Sequence, residues 1–324
     1  MIDRFLVLLA VLAAGNAAGQ APSPSADYPN RVVRTIVPYT PATGPDVLAR
    51  TIGAKLAERW KQPVVVENRP GASGNIGAEA VAKSAPDGYT VMLNVTTLAI
   101  TPALYPSLPF DPVKSFAPIG LIATGNIVLV VNSAVPAKNA QEFVALAKSK
   151  PGAIKYSSPG NGTPQHVAME LFKLQTATDL LHVPYKGAAG AVTDLLGGQV
   201  ETSLLPVHQA RSHVESGKVR VLGVVSGSRT PLWPDVPTFG EQGFGGIEAD
   251  LWFGYWAPAG TPPQILAKIN QDVAQVLALP DVREALTKQG LVPTPAGPEE
   301  LAATLRRELD RWGKVVREAK VKAD

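Results

Sequence analysis

Residues 32–60 read VVRTIVPYTPATGPDVLARTIGAKLAERW, and this stretch decides the fold class. The β-branched run 32–37 predicts a strand, and the apolar spacing of 47–60 predicts a helix after a short turn. The pattern then repeats, with a strand, a helix and a strand predicted at 64–67, 76–83 and 89–93. This alternation predicts an α/β domain with a mostly parallel sheet, whose binding crevice lies at the carboxyl ends of the strands.

A second series of strand and helix patterns predicts a second α/β domain. A helix is predicted at 139–149, among strands at 127–131, 154–157, 181–184, 200–205 and 219–224. Near the C-terminus, helical apolar stripes in 264–277 and 301–316 are expected to pack back onto the first sheet, because an amphipathic helix cannot bury its apolar face alone. The predicted division is a signal peptide and leader (1–26), a discontinuous first domain (27–124 plus 253–324) and a second domain (125–252).

Three helix starts are marked by a capping residue with Glu or Gln three positions later. The pairs are Asn139 with Glu142, Thr261 with Gln264, and Asp281 with Glu284. In each pair the first residue is predicted to cap the helix that follows.

Composition and motifs exclude several classes of function. The chain has 324 residues, a net charge of +3 and no cysteine, so it has no disulfide, thiolate metal site or lipid-modified cysteine. Its 30 Lys and Arg residues form no basic cluster, which argues against nucleic acid as a partner. Residues 71–77 read GxxGxxG rather than the GxGxxG of dinucleotide sites. Serine-hydrolase, zinc-protease and P-loop patterns are absent, so we predict no catalytic residue, no metal and no cofactor.

The first residues predict export. Arg4 precedes an apolar run at 5–14, and small residues follow at 17–19, a pattern typical of a signal peptide. The run is too short to span a bilayer, which needs about 20 residues. We therefore expect a soluble mature protein in the periplasm.

The turn between the first strand and helix is a candidate anion site. Pro38 and Pro41 restrict its backbone, and the helix presents free N–H groups to the crevice. Asp46 is expected to accept hydrogen bonds from the loop's own amides, because a carboxylate is poorly suited to touch an anion. An ordinary strand-to-helix turn is the alternative interpretation of this segment alone. The candidate ligand contacts are Tyr39, Thr40 and Thr43.

The turn after the predicted strand 154–157 is the second candidate. Gly160 and Gly162 allow close approach of the backbone to a ligand, and Pro164 suits a first helical turn. His166 could donate to the ligand or bond to its own loop, and both interpretations stay open. The polar candidates in this loop are Ser158, Asn161 and Thr163.

Two further strand-to-helix turns carry weaker signals. Gly187 and Ala188 would place backbone amides at the crevice, whereas Lys186 is expected to face solvent. Thr96 and Thr97 supply hydroxyl groups after the third predicted strand.

Together these segments resemble the tripartite tricarboxylate transporter solute-receptor family, often called the Bug family. The resemblance spans most of the chain after the leader. Singly the motifs are modest, but their order and spacing are specific. They are PYTPATGPD (38–46), ENRPGASGNIGA (67–78), PDGY (86–89), GNGT (160–163) with His166, VPYKG (183–187), DLLGGQ (194–199), PT (237–238) with EQG (241–243), and APAGTP (257–262).

The resemblance implies a type II periplasmic-binding-protein fold, in which two doubly wound α/β domains close around a ligand cleft. It implies a non-enzymatic receptor that captures a small organic carboxylate with the first βα loop and the Gly-Asn-Gly-Thr loop. The ligand would pass to a two-component membrane permease, and the receptor is expected to be a monomer. A periplasmic sensing receptor for a signalling kinase is the alternative, and a periplasmic hydrolase is a third.

The chain departs from the family pattern in two places. Pro41, Ala42 and Thr43 stand where Pro-Gly-Gly is common, and Leu98 stands where a histidine is common after a threonine. Both changes are expected to border the pocket. Leu98 predicts a ligand with a less polar distal part, such as an aromatic or aliphatic acid.

Overall fold

The computed structural model describes residues 27–323, so the predicted signal peptide and leader lie outside the described residues. Over 27–323 the chain forms eleven strands and ten α-helices. The strands are β1 (Val33–Val37), β2 (Val64–Asn68), β3 (Thr90–Val95), β4 (Phe116–Gly125), β5 (Ile127–Asn132), β6 (Lys155–Ser158), β7 (Leu181–Pro184), β8 (Thr202–Pro206), β9 (Val219–Val224), β10 (Leu251–Pro258) and β11 (Leu291–Ala296). The helices are α1 (Gly44–Trp60), α2 (Asn75–Ala82), α3 (Thr97–Leu104), α4 (Ala140–Ser149), α5 (Pro164–Thr176), α6 (Ala188–Leu196), α7 (Val207–Glu215), α8 (Pro263–Leu277), α9 (Pro280–Lys288) and α10 (Pro298–Glu318).

The strands form two mixed sheets. Their orders are β11-β4-β10-β3-β1-β2 and β7-β6-β8-β5-β9. In the first sheet β1 is parallel to β2 and β3, but β10 is antiparallel to β3 and β4. In the second, β6 is parallel to β7 and β8, but β5 is antiparallel to β8 and β9. The prediction that the first sheet is mostly parallel is therefore wrong, because three of its five strand pairings within residues 27–323 are antiparallel.

The chain crosses between the sheets at two places. β4 ends at Gly125 and β5 begins at Ile127, so Asn126 joins the first sheet to the second. The return follows β9 and enters β10 at Leu251. The predicted domain boundaries lie beside these crossings and stay a prediction.

Three strands of the first sheet were not predicted from the sequence pattern. β4 and β10 pair with each other inside the sheet, and β11 pairs with β4 at its edge. β11 contains Pro293 and Pro295. Proline cannot donate to a strand ladder, so a strand with two prolines is tolerated at an edge and reads as a loop in the sequence.

The C-terminal helices pack on the first sheet, as expected. α8 contacts β4 and α1, and α10 contacts β4 and α3. Asp272 of α8 accepts hydrogen bonds from Arg59 Nε and Trp60 Nε1 of α1, each at 2.6 Å. None of the helices within 27–323 is long and apolar enough to cross a membrane.

One of the three predicted helix caps is confirmed. Asn139 Oδ1 accepts a hydrogen bond from Glu142 N at 2.8 Å at the start of α4. The predictions for Thr261 and Asp281 are wrong, because α8 begins at Pro263 and α9 at Pro280 without a side-chain cap. The fixed φ of proline suits the first helical position, and the proline sets the start of both helices.

Candidate ligand-binding site

A cavity of about 310 Å³ lies between the two sheets. Most of its wall comes from the segments that follow β1, β2, β3, β6, β7 and β8. The carboxyl ends of these strands are where an α/β fold forms its crevice. The volume suits a small molecule.

Six α-helices begin at this cavity. They are α1, α2, α3, α5, α6 and α7, and each has residues of its N-terminal cap or first turn on the wall. No side chain caps α1, α6 or α7, so N–H groups of their first turns remain for a ligand or for solvent. The positive ends of several helix dipoles therefore converge on the cavity.

No Asp, Glu, Lys or Arg of the described chain lines this cavity. His208 does line it, and burial lowers the pKa of its imidazole against the opposing effect of a backbone hydrogen bond at Gln289. Val95, Leu251 and Phe253 contribute apolar surface. A ligand therefore meets neutral donors, helix dipoles and apolar contacts, an arrangement suited to an organic anion.

The β1–α1 loop uses its hydroxyl groups to hold its own shape. Tyr39 Oη donates to Asn94 Oδ1 at 2.7 Å, and Thr43 Oγ1 donates to Thr40 O at 2.8 Å. Burial raises the pKa of the Tyr39 hydroxyl above its usual range, so the phenol stays protonated. Of the residues predicted in this loop, those on the cavity wall are Pro38, Tyr39, Thr40 and Thr43, whereas Pro41 is not on the wall.

Asp46 stabilises this loop from behind the cavity. Its Oδ2 accepts a hydrogen bond from Ala42 N at 2.9 Å, and the side chains of Arg50 and Asn68 also donate to the carboxylate. Burial alone would raise the pKa of Asp46, but the hydrogen bonds from Arg50, Ala42 N and Asn68 outweigh burial and lower it. Ala42 has a φ of +63°, a left-handed conformation that is costly for alanine. Ala42 therefore strains the loop, whereas a glycine at this position would not.

Fewer of the predicted residues of the β6–α5 loop line the cavity than expected. Gly162 N donates to His166 Nδ1 at 3.0 Å, so this amide is used inside the loop. His166 is 5 % exposed and acts within its own loop. These contacts correct the expectation of close ligand approach at Gly162. Of the residues predicted in this loop, Thr163 lies on the wall, whereas Ser158, Gly160, Asn161, Gly162 and His166 do not.

Gly162 instead faces α3, the helix that follows β3. A Cβ atom at Gly162 would lie 2.3 Å from Leu104 Cδ1, and the φ of Gly162 is +71°. Glycine is required both for the conformation and for the contact between the loop and α3.

Ser158 and Thr96 also make hydrogen bonds inside the protein and do not line the cavity. Ser158 Oγ lies 2.7 Å from His182 Nε2, which resembles a nucleophile beside a base, but Ser158 is fully buried and cannot meet a substrate. Thr96 Oγ1 accepts a hydrogen bond from Trp252 N at 3.1 Å and does not line the cavity. Within residues 27–323 no group of three or more His, Asp or Glu side chains could hold a metal ion.

The remaining predicted contacts lie on the cavity wall. Gly187 and Ala188 at the start of α6 line it, as does Thr97. Lys186 is exposed and is not on the wall, as expected. Whether each lining residue contacts a ligand stays a prediction.

Several lining residues were missed from the sequence. The segment after β2 contributes Gly71, Ser73 and Gly74, and the start of α7 contributes Gln209. Both segments follow the carboxyl end of a strand, and this signal could have identified them. Asn126 also lines the cavity, but its position between the sheets has no local sequence signal.

Leu98 does not border the pocket. Its side chain is 2 % exposed and belongs to the hydrophobic core. It lies in the first turn of α3, where its side chain packs inward rather than toward the cavity. The prediction that Leu98 borders the pocket is therefore wrong, and Leu98 gives no basis for expecting a less polar ligand.

The family model described as "Tripartite tricarboxylate transporter family receptor" matches residues 48–321. Protein BugT of Bordetella pertussis is 36 % identical over 324 residues, which cover 99 % of each chain.

Solved structures are also similar to this chain over most of its length. Rhodopseudomonas palustris Rpa4515 with adipate has a TM-score of 0.84 and 33 % identity, and the match covers 92 % of this chain and 100 % of that chain. MatC from the same organism, with bound malate, has a TM-score of 0.78 and 32 % identity, and the match covers 89 % of this chain and 100 % of that chain. The protein has the two-domain α/β fold of periplasmic binding proteins, and it belongs to the tripartite tricarboxylate transporter receptor family of solute-binding proteins.

Proposed function

We propose that this protein is a periplasmic receptor that captures a small organic carboxylate in the cavity and delivers it to a tripartite tricarboxylate-type membrane transporter. The proposal rests mainly on the convergence of six helix N-termini on a cavity without lining side chains of Asp, Glu, Lys or Arg among the described residues. It assigns the protein no catalytic step.

A carboxylate fits this arrangement for electrostatic reasons. Each helix N-terminus stabilises a nearby anion by about 0.3–1 kcal/mol, and by up to ~2 kcal/mol in partly buried geometries. Hydrogen bonds from N–H groups to a charged acceptor each add about 1.5–3 kcal/mol. A cation would meet the same dipoles with the opposite sign. The apolar side chains on the wall suit the carbon skeleton of an organic acid.

The related structures support this ligand class. Rpa4515 is solved with adipate and MatC with malate, and both ligands are dicarboxylates. We propose that Thr40, Thr43, Thr163 and Ala188 contribute to holding the carboxylate, because all four lie on the cavity wall beside a helix start.

A thermal-shift panel on the mature protein tests the proposal. The panel pairs carboxylic acids, including adipate, malate and phenylacetate, with their amides, and it includes sugars as a second control. A ligand at 100 times its Kd adds about 2.7 kcal/mol to the free energy of unfolding. We expect one or more acids to raise the Tm while the amides do not. Shifts with sugars alone would contradict the proposal.

Delivery to a transporter needs a separate experiment. Cells that lack this protein should lose uptake of the labelled acid that the panel identifies, and the wild-type gene should restore it. Unchanged uptake in the deletion strain would contradict delivery and leave ligand sensing as the role of the same site.

A further inference from the structure

Asn126 is a buried polar residue on the wall of the cavity. It joins β4 to β5 and is 7 % exposed. Its Nδ2 donates to Ser226 Oγ at 2.8 Å and to Asp250 Oδ1 at 3.3 Å. Its Oδ1 is buried and has no hydrogen-bond partner among the residues that the structure describes.

The orientation of this amide is determined by Asp250. An ionised carboxylate only accepts hydrogen bonds, so the amide must direct its NH₂ group toward Asp250 and its oxygen away. Burial raises the pKa of Asp250 to about 6, so the carboxylate is ionised above neutral pH. A flipped amide would place its oxygen against the Asp250 carboxylate, with no proton between the two acceptors. The Asn126 carbonyl oxygen is therefore held as an acceptor.

Gln209 supplies a second unpaired acceptor on the cavity wall. It lies in the first turn of α7 and lines the cavity, and its Oε1 is buried without a partner within residues 27–323. Val207 N donates to Asn126 O at 3.2 Å, which holds the start of α7 against Asn126. Buried polar atoms in folded proteins are nearly always paired, and a donor that arrives with the ligand would pair the two acceptors on this wall.

We propose that Asn126 Oδ1 and Gln209 Oε1 form a subsite that reads a hydrogen-bond donor on the ligand, so that the cognate molecule is a hydroxy or amino carboxylic acid rather than a plain acid. This inference rests on the proposed function. The helix N-termini bind the carboxylate, and the two carbonyl oxygens accept from the hydroxyl or ammonium group. A plain acid leaves both oxygens unpaired, and a second carboxylate placed there is repelled by them.

Matched ligands test this subsite. Calorimetry at pH 7.5 compares succinate with malate and aspartate, glutarate with 2-hydroxyglutarate and glutamate, and phenylacetate with mandelate and phenylglycine. In the set that binds most tightly, we expect a donor-bearing member to bind at least about tenfold more tightly than the plain acid, because the plain acid leaves a buried acceptor unsatisfied. Equal affinity within that set would overturn the inference.

Two variants test whether Asn126 and Gln209 accept a hydrogen bond from the ligand or only stabilise the fold. Gln209→Met removes one acceptor at similar volume. Asp250→Asn lies off the cavity wall and releases the orientation of the Asn126 amide. For both variants the affinity ratio between donor-bearing and plain acid should fall toward one, with the plain acid bound about as tightly as by wild type. Glu248→Gln is the matched control, since it removes a nearby exposed charge without touching the amide, and its ratio should not change.

The outcomes distinguish the two proposals. If no acid of the panel binds, the proposed function fails. If acids bind but wild type and both variants show the same ratio near one, the carboxylate site stands and the donor-reading subsite is wrong.

Discussion

Gly162 N donates a hydrogen bond to His166 Nδ1, with 3.0 Å between the two nitrogen atoms. The bond joins the loop after β6 to the first turn of α5 and requires that Nδ1 carries no proton. Burial, with a smaller effect of the charge on Lys173, lowers the pKa of His166 to about 4. The loop is therefore held by a neutral imidazole at physiological pH.

His166→Asn should change how stability depends on pH. As pH falls below 6.5 the unfolded chain protonates this histidine before the folded chain does, so wild type loses stability down to about pH 4. Asparagine does not titrate, and its Oδ1 can still accept from Gly162 N. Relative to the variant, wild type should lose about 3 kcal/mol of unfolding free energy between pH 7 and pH 4. Urea unfolding at several pH values measures this, with His213→Asn as a control, and parallel curves for wild type and His166→Asn would refute it.

Gly162→Ala should destabilise the protein by about 2–4 kcal/mol, because the left-handed conformation and the contact with Leu104 both oppose a side chain. In a Leu104→Ala background the contact is relieved, and the cost should fall by about 1 kcal/mol or more. Gly217→Ala is the control, since Gly217 has a φ of +70° and nothing within 4 Å of an added Cβ. Denaturant unfolding of wild type, the two single variants at Gly162 and Leu104, their double variant and Gly217→Ala gives the values. An equal cost at Gly162 in both backgrounds would show that Leu104 does not limit this position.

Ala42→Gly should stabilise the protein by up to about 1 kcal/mol. Relief of left-handed strain contributes about 1–2 kcal/mol, and the more flexible unfolded chain offsets part of it. Ala54→Gly, at an exposed position inside α1, should have the opposite sign and cost about 0.5–1 kcal/mol. Thermal unfolding compares the two variants. A loss of stability in Ala42→Gly would show that the backbone of Ala42 is not strained.

Thr163→Ala should lower stability more clearly than it lowers ligand affinity. The hydroxyl donates to Gly160 O at 2.8 Å and accepts from His166 N at 3.4 Å at the start of α5. Loss of a helix cap costs about 0.5–2 kcal/mol. Thr193→Ala, inside α6, removes a threonine hydroxyl that caps no helix. A large affinity loss with unchanged stability would mean that the Thr163 hydroxyl binds the ligand directly.

The sequence predicts the parts of the fold and site that depend on local pattern. The turn at Thr43 in the first sheet and the turns at Thr163 and Ala188 in the second all reach the cavity, because the parallel strands of each sheet have their carboxyl ends at one edge. The same logic could not place Leu98, whose local sequence does not show which face of α3 is buried.

Residues that depend on long-range topology were also missed. Asn126 reaches the cavity because β4 and β5 belong to different sheets, and β4 itself is recognisable only through its pairing with β10 and β11. No short-range pattern encodes such a pairing.

A variant of Ala188 shows whether backbone N–H groups at helix starts hold the carboxylate. Ala188 is the first residue of α6, a position where proline fits a helix and removes the N–H. Calorimetric titration with the acid found in the panel should show that Ala188→Pro weakens binding by about 1.5–3 kcal/mol, whereas Ala188→Gly, which keeps the N–H, binds within about 0.5 kcal/mol of wild type. Wild-type affinity in a well-folded Ala188→Pro protein would mean that the N–H group of Ala188 does not hold the carboxylate.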